Sequence, residues 1–178
     1  MPTSDVVLVD VIQSVIGAMI VANPAGGNFT MNYEPGRSFD IIKSLGADDN
    51  SITYKGVKYP LFAMLMPIRE KKGEFGFAGR VVIPRIVIAT LTKTVTGEEP
   101  ILNKYDSAGT FKTILYPLYN EFLKRLAASP NVSGSDPNAF IHEKMDNPGQ
   151  QVEQSTTDYI DSIEILNLEL ILLNIKTC

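Results

Sequence analysis

Tryptophan is absent from this chain of 178 residues, and histidine and cysteine occur once each. The lone Cys178 excludes an internal disulfide, which is compatible with a reducing compartment without requiring one. Only Lys176 stands near it in sequence, whereas a nucleophile is normally held rigidly against a base. The lone His142 has Glu143 beside it and Asp146 four residues on, within a polar stretch. A metal cage needs several convergent ligands, so His142 is expected to be a solvated loop histidine. Gly73, Gly76 and Gly79 match neither the GxGxxG nor the Walker spacing, and turn chemistry explains them better. Asp48 and Asp49 lack the defined separation across a cleft that hydrolytic acids need. Asp158, Asp161 and Glu164 suit a solvated face better than a cation site. The expectation is a protein that is not an enzyme, with no catalytic residue, no cofactor and no metal.

A membrane span is missing too. Val6 to Val21 is strongly apolar, but Asp10, Gln13 and Ser14 interrupt it and no Lys or Arg precedes it. A spanning helix needs about 20 predominantly apolar residues and a signal peptide a positive start, so a buried amphipathic helix is expected. The sequons Asn28-Phe29-Thr30 and Asn131-Val132-Ser133 are then chance matches. Hydrophobic residues make up 44% of the chain and charged ones 20%, enough to build one real core. A single domain over residues 1–178 is expected, with a long polar arm or loop at about 129–157.

What the chain does have is segregated charge. Residues 51–93 carry Lys55, Lys58, Arg69, Lys71, Lys72, Arg80, Arg85 and Lys93 against Glu70 and Glu74, a local balance of +6 in a chain of net −4. Residues 136–169 carry eight acids and one lysine. Two such patches allow head-to-tail docking onto copies of the same chain, or docking onto a charged neighbour. A pI near 5.0 argues against wholesale wrapping of nucleic acid.

Patterning predicts an α+β fold. Ser4 or Asp5 can cap a helix to about Val21, with Val6, Val9, Ile12, Ile16 and Ile20 on one face. A short strand, Phe29 to Tyr33, is closed by Pro35-Gly36. A brief helix over 39–45 and a small hairpin over 52–59 follow. Leu61 to Met66 and the Val-, Ile- and Thr-rich run Val81 to Thr94 read as two long strands. Between them Pro67 to Gly79 forms a charged tip, so the pair should be an antiparallel hairpin protruding from the body. Pro84 lacks a backbone donor, so its strand lies at an edge or bulges there. Phe111, Leu115, Leu118, Phe122 and Leu126 mark one face of a long helix from about Ser107 to Ala128, kinked at Pro117. Residues 129–157 are polar and rich in turn formers, a candidate partner-binding arm. Ile160 to Ile175 alternates as a strand with one phase slip, as a bulge would produce. The expected architecture is a mainly antiparallel sheet packed against an N-terminal helix and a long central helix. Tyr116, Tyr119 and Phe122, at helical spacing, are expected in the core.

This order of elements resembles the head-completion and tail-terminator proteins of tailed bacteriophages, the head-tail connector subunits. Ile88-Ala89-Thr90-Leu91-Thr92, followed by Phe111-Lys112-Thr113-Ile114-Leu115-Tyr116-Pro117-Leu118-Tyr119, is also similar to uncharacterised tailed-phage proteins. The likeness covers roughly residues 5–126 and 158–175. It implies a structural virion protein, assembled in the host cytoplasm, that forms a homo-oligomeric ring joining portal or neck to tail. Its partners would be neighbouring portal, connector and tail proteins, with a passing contact with phage DNA in the channel and none with membrane. The residues expected at the interface are Arg69, Glu70, Lys71, Lys72 and Glu74 in the hairpin tip, and Asp136, Glu143, Asp146 and Glu153 in the arm. The basic tip serves equally well as a soluble hairpin end that discourages edge-to-edge aggregation. Two alternatives remain beside the ring: a non-enzymatic adaptor whose acidic arm holds a basic partner, and a small enzyme whose site assembles from scattered polar residues.

Overall fold

The computed structural model describes residues 7–38, 59–72, 78–92, 105, 109–134, 136–151 and 159–173. Its spine is a pair of long antiparallel strands, β4 (Ala78–Leu91) and β6 (Tyr159–Leu173), hydrogen-bonded along almost their whole length. Both are rich in Val, Ile and Leu, which suit a pleated surface buried on one face. Strands β1 (Asn32–Gly36), β2 (Leu61–Leu65), β3 (Arg69–Lys72) and β5 (Glu143–Gln151) complete one mixed sheet. The order is β1-β2-β4-β6-β5, with β3 also on β4, in line after β2. Among the described residues only the β1–β2 pair is parallel. Helices α1 (Leu8–Gly17) and α2 (Tyr116–Ala127) cover one face, making an α+β fold.

The core lies between that face and the helices. From α1 come Leu8, Val11, Ile12, Val15 and Ile16, and from α2 Leu118, Phe122, Leu123 and Leu126. They meet Phe62 and Met64 of β2, Val81, Ile83, Ile86 and Ile88 of β4, and Ile163, Ile165, Leu168, Leu170 and Leu172 of β6. Each such side chain contributes roughly 1.5–3 kcal/mol by leaving water. A second, smaller cluster of Leu61, Ala63, Ala89 and Ile160 lies apart from this core.

The phase slip read in the final segment is present, and it is shared. In β4 the core-facing residues change from Val81 and Ile83 to Ile86 and Ile88; in β6 they change from Ile163 and Ile165 to Leu168, Leu170 and Leu172. Ile83 pairs with Leu168 and Arg85 with Leu166, so the register count is unbroken while Pro84 and Asn167 between them form no pair. Each strand places one extra residue at the same point, and the two irregularities cancel. Pro84 therefore sits within a central strand at a bulge. Asn167 adopts φ +53°, a left-handed conformation that Asn tolerates better than most residues.

Several expectations need correction. Helix α1 begins at Leu8 with Val7 as its cap residue, and its buried face is set by Leu8, Val11 and Val15 beside Ile12 and Ile16. Ile20 is 64% exposed because the helix has already ended. The first strand is β1, which includes Pro35; an edge strand tolerates that missing donor. Before α2 the chain makes a π-helical turn, Phe111–Leu115, and Pro117 falls in the first turn of α2. Proline cannot donate to the carbonyl four residues back and crowds it, and the wider turn relieves both problems while the apolar face stays in phase.

The charged hairpin tip is itself a strand as far as Lys72, paired with Gly79–Val82 of β4. Since β6 flanks β4 on its other side out to the Ala78–Leu173 pair, this part of the hairpin is embedded in the sheet. The polar arm is likewise mostly folded. Leu173 N–H donates to the Asn131 carbonyl (2.9 Å), Ser133 N–H to that of Ile171 (2.8 Å) and Glu169 N–H to that of Ile141 (3.0 Å). Residues 143–151 then continue as β5 on the same edge of β6. Polar composition misled here because an edge strand exposed on most sides needs few apolar residues. The helix expected over 39–45, most of the hairpin over 52–59, and Glu74 and Glu153 lie outside the described residues.

Candidate interaction surfaces

Two regions draw polar side chains together. The first is the contact between α2 and β5. Tyr116 and Tyr119 stand three apart on α2, on the same side of the helix. His142, Lys144 and Asp146 alternate along and just before β5, with Asp146 in register opposite core-facing Ile163. Tyr116 Oη donates to Asp146 Oδ2 (2.7 Å), and Lys144 Nζ donates to Asp146 Oδ1 (2.7 Å). The Lys144 ammonium also lies 4.5 Å from the Tyr116 ring centroid and 5.7 Å from that of Tyr119, a cation–π arrangement.

Tyr119 Oη lies 2.6 Å from His142 Nε2, and His142 Nδ1 lies 2.8 Å from the Phe140 carbonyl. A carbonyl only accepts, so Nδ1 carries the proton; in the neutral ring Nε2 accepts from the tyrosine. His142 is thus a half-buried fastener, where sequence reasoning placed a solvated loop. Burial, then the hydrogen bond to Asp146 and its charge, push the Tyr116 phenol up to about 12. Burial and Asp146 also raise Tyr119. Phenols that hold their protons this firmly are poor general acids near neutral pH. The cluster works as a clamp holding β5 to α2. The detectable signal for it was the period-two spacing of His142, Lys144 and Asp146, set against two tyrosines three apart.

The second region is the face of the sheet turned away from the helices. Arg80 pairs with Glu169, and Arg85 pairs with Glu164, whose carboxylate also accepts from Asn147 Nδ2 (2.7 Å). Two of the eight basic residues of the 51–93 run are thus neutralised by acids of the 136–169 run within one chain. Among the other charges expected to make contacts, Asp136 accepts from Asn138 N–H (2.9 Å) to cap a short 3-10 turn, and Asp146 belongs to the clamp. Arg69 in β3 and Glu143 in β5 are exposed. Glu70, Lys71 and Lys72 occupy β3 beside Arg69. The structure thus leaves Arg69 and Glu143 facing outward, at opposite edges of the sheet.

A partly open cavity of about 460 Å³ lies where α1 ends against β1, lined by Ile16, Met19, Phe29, Met31 and Tyr33 with Gln13 and Thr30 at its polar side. Among the described residues no three His, Cys, Asp or Glu side chains converge as metal ligands would, and no helix is long and apolar enough to cross a membrane. Neither a protein-family model, nor a curated protein, nor a solved structure matches this chain.

Proposed function

We propose that this chain is a structural virion protein, a ring-forming subunit of a tailed-phage head-tail connector or tail terminator. The observation that carries this reading is the opposite charge of two edge strands, β3 and β5. Arg80 and Arg85 are paired internally, the β3 sequence Arg69-Glu70-Lys71-Lys72 sums to +2 with Arg69 exposed, and Glu143 is exposed on β5. A surface with a plus edge and a minus edge favours heterologous contacts, and these close into rings when the rotation allows. The partners would be further copies of the chain and the portal, connector and tail proteins on either side, with DNA passing through the channel. The polar groups best placed for chemistry, Tyr116, Tyr119 and His142, are already satisfied by one another and by Asp146. An adaptor built on a free acidic arm has less support, since Asp136 and Asp146 are engaged inside the chain.

Mass photometry of the purified protein, alone and with the neck and tail proteins of its own virion, tests the proposal. A discrete closed oligomer is expected in at least one mixture, weakened as salt screens exposed charges. A strict monomer under every condition overturns it.

A further inference from the structure

We infer that copies of this chain join by continuing the sheet, the β5 edge of one copy receiving the β3 edge of the next. The inference rests on the ring reading and names its joint. Four features point to it.

The first is availability. Among the described residues β3 pairs only with β4 and β5 only with β6, so each strand has one side open. The edge at β1 is blunted by Pro35, which cannot donate. In contrast, Arg69–Lys72 contains neither proline nor glycine, and Glu143–Asn147 runs uninterrupted up to Pro148.

Direction is the second. β3 runs antiparallel to β4, β6 antiparallel to β4, and β5 antiparallel to β6. β5 and β3 therefore run opposite ways within one molecule. Placing a second copy beside the first in the same orientation brings β5 against β3 as an antiparallel pair, the slightly more stable kind.

The third is the face of the sheet. Arg69 is in register with Val82, which lies between core-facing Val81 and Ile83 and so belongs to the helix-free face. Glu143 is in register with Leu166, next to core-facing Ile165, and belongs to the same face. In a continued sheet the guanidinium of one copy and the carboxylate of the next stand on one surface, where a cross-strand pair of opposite charge is favourable. Exposed Met145, 44% accessible and two residues after Glu143, supplies apolar area on that surface.

Offset is the fourth. β3 lies beside Gly79–Val82 of β4, whereas β5 lies across β6 from the other half of β4. Joined copies are therefore displaced along the strand direction, and a closed ring would tilt the strands relative to its axis, as stagger does in barrels.

The test is a charge exchange. Arg69→Glu and Glu143→Arg are each expected to weaken assembly at least about tenfold, since like charges then meet across the joint. An equimolar mixture of the two variants should assemble again, because the reversed charge at position 69 of one then faces the reversed charge at position 143 of the other, while the unchanged Glu143 and Arg69 face each other. Circular dichroism melts of each variant should match the parent, as both positions are exposed. In a Cys178→Ser background, mixed Arg69→Cys and Glu143→Cys chains should form a disulfide-linked pair under mild oxidation. If both charge variants assemble like the parent, or the mixed cysteine variants fail to cross-link, the joint is wrong although ring formation stands. If only Glu143→Arg disrupts assembly and mixing does not restore it, β5 meets its own counterpart and the proposal is overturned. A parent protein that is always monomeric defeats both the joint and the ring.

Discussion

β6 turns Ile163, Ile165, Leu168, Leu170 and Leu172 into the core, all at most 2% exposed, whereas β5, hydrogen-bonded along its edge, buries no apolar side chain among its described residues. One strand is fixed by burial and the other by a ladder and a few polar contacts with α2. Burial is non-directional and scales with area, so β6 tolerates an irregularity at Asn167 without losing its place. The β5 contacts are directional: the Tyr116–Asp146 and Tyr119–His142 bonds specify where the strand sits and add little net free energy, typically about 1 kcal/mol each. Among the described residues no strand pairs with the outer side of β5.

The largest difference between the two regions should come from emptying the core. Phe122 is fully buried and packs on Phe62 with ring centroids 5.6 Å apart. Phe122→Ala should lower unfolding free energy by about 3–5 kcal/mol, through lost transfer energy plus the cavity left behind. Met145→Ala in β5 should change it by less than about 0.5 kcal/mol. Urea denaturation of both variants measures the contrast; equal losses would abolish it.

Between these extremes stands Glu164, whose side chain is 5% exposed on the helix-free face and paired with Arg85. Arg85→Ala leaves a buried carboxylate with only Asn147 to satisfy it. The expected loss is about 1–3 kcal/mol, below the figure for a fully buried pair because Arg85 itself is partly solvated. Restoration of stability by adding Glu164→Gln to Arg85→Ala would locate the penalty in the stranded charge. A smaller effect belongs to the paired bulge. Asn167→Val should cost about 1–2 kcal/mol, since a β-branched residue resists a positive φ, while Asn167→Gly should be close to neutral. Similar losses in both would mean that the Asn side chain, and not the backbone, matters there.

The central strands were legible from the chain because burial writes a period into it. The run from Val81 and the alternation from Ile160, with its slip, led to β4 and β6, and Pro84 marked the matching irregularity. The face Phe111, Leu115, Leu118, Phe122 and Leu126 was legible for the same reason, and all five residues are fully buried. β5 was not legible, since a strand exposed on most sides has no hydrophobic alternation to display. Its partners on α2, expected in the core, do pack against it as partly buried side chains, but spacing alone cannot show that a phenol ends at a carboxylate. Charge segregation could be read along the chain. That Arg80 and Arg85 would spend it on Glu169 and Glu164 depends on β4 lying beside β6, a long-range fact.

The smallest effect tests the clamp through pH. Tyr116→Phe removes one hydrogen bond to Asp146 and should cost about 1 kcal/mol at neutral pH. Its pH dependence is more telling than its size. The fold holds the Tyr116 proton up to about 12, whereas a tyrosine in the unfolded chain titrates near its ordinary value of about 10. Between those limits the unfolded state has released a proton that the native state retains, so stability falls as pH rises. The contribution of Tyr116 is therefore intact below about pH 10 and is lost as pH climbs through about 12. Denaturation of the parent and of Tyr116→Phe at pH 8 and again near pH 11.5 should show the gap between them narrowing. A gap of constant size would mean that the phenol titrates alike in both states, leaving the cation of Lys144 and the ladder to β6 to hold β5 in place.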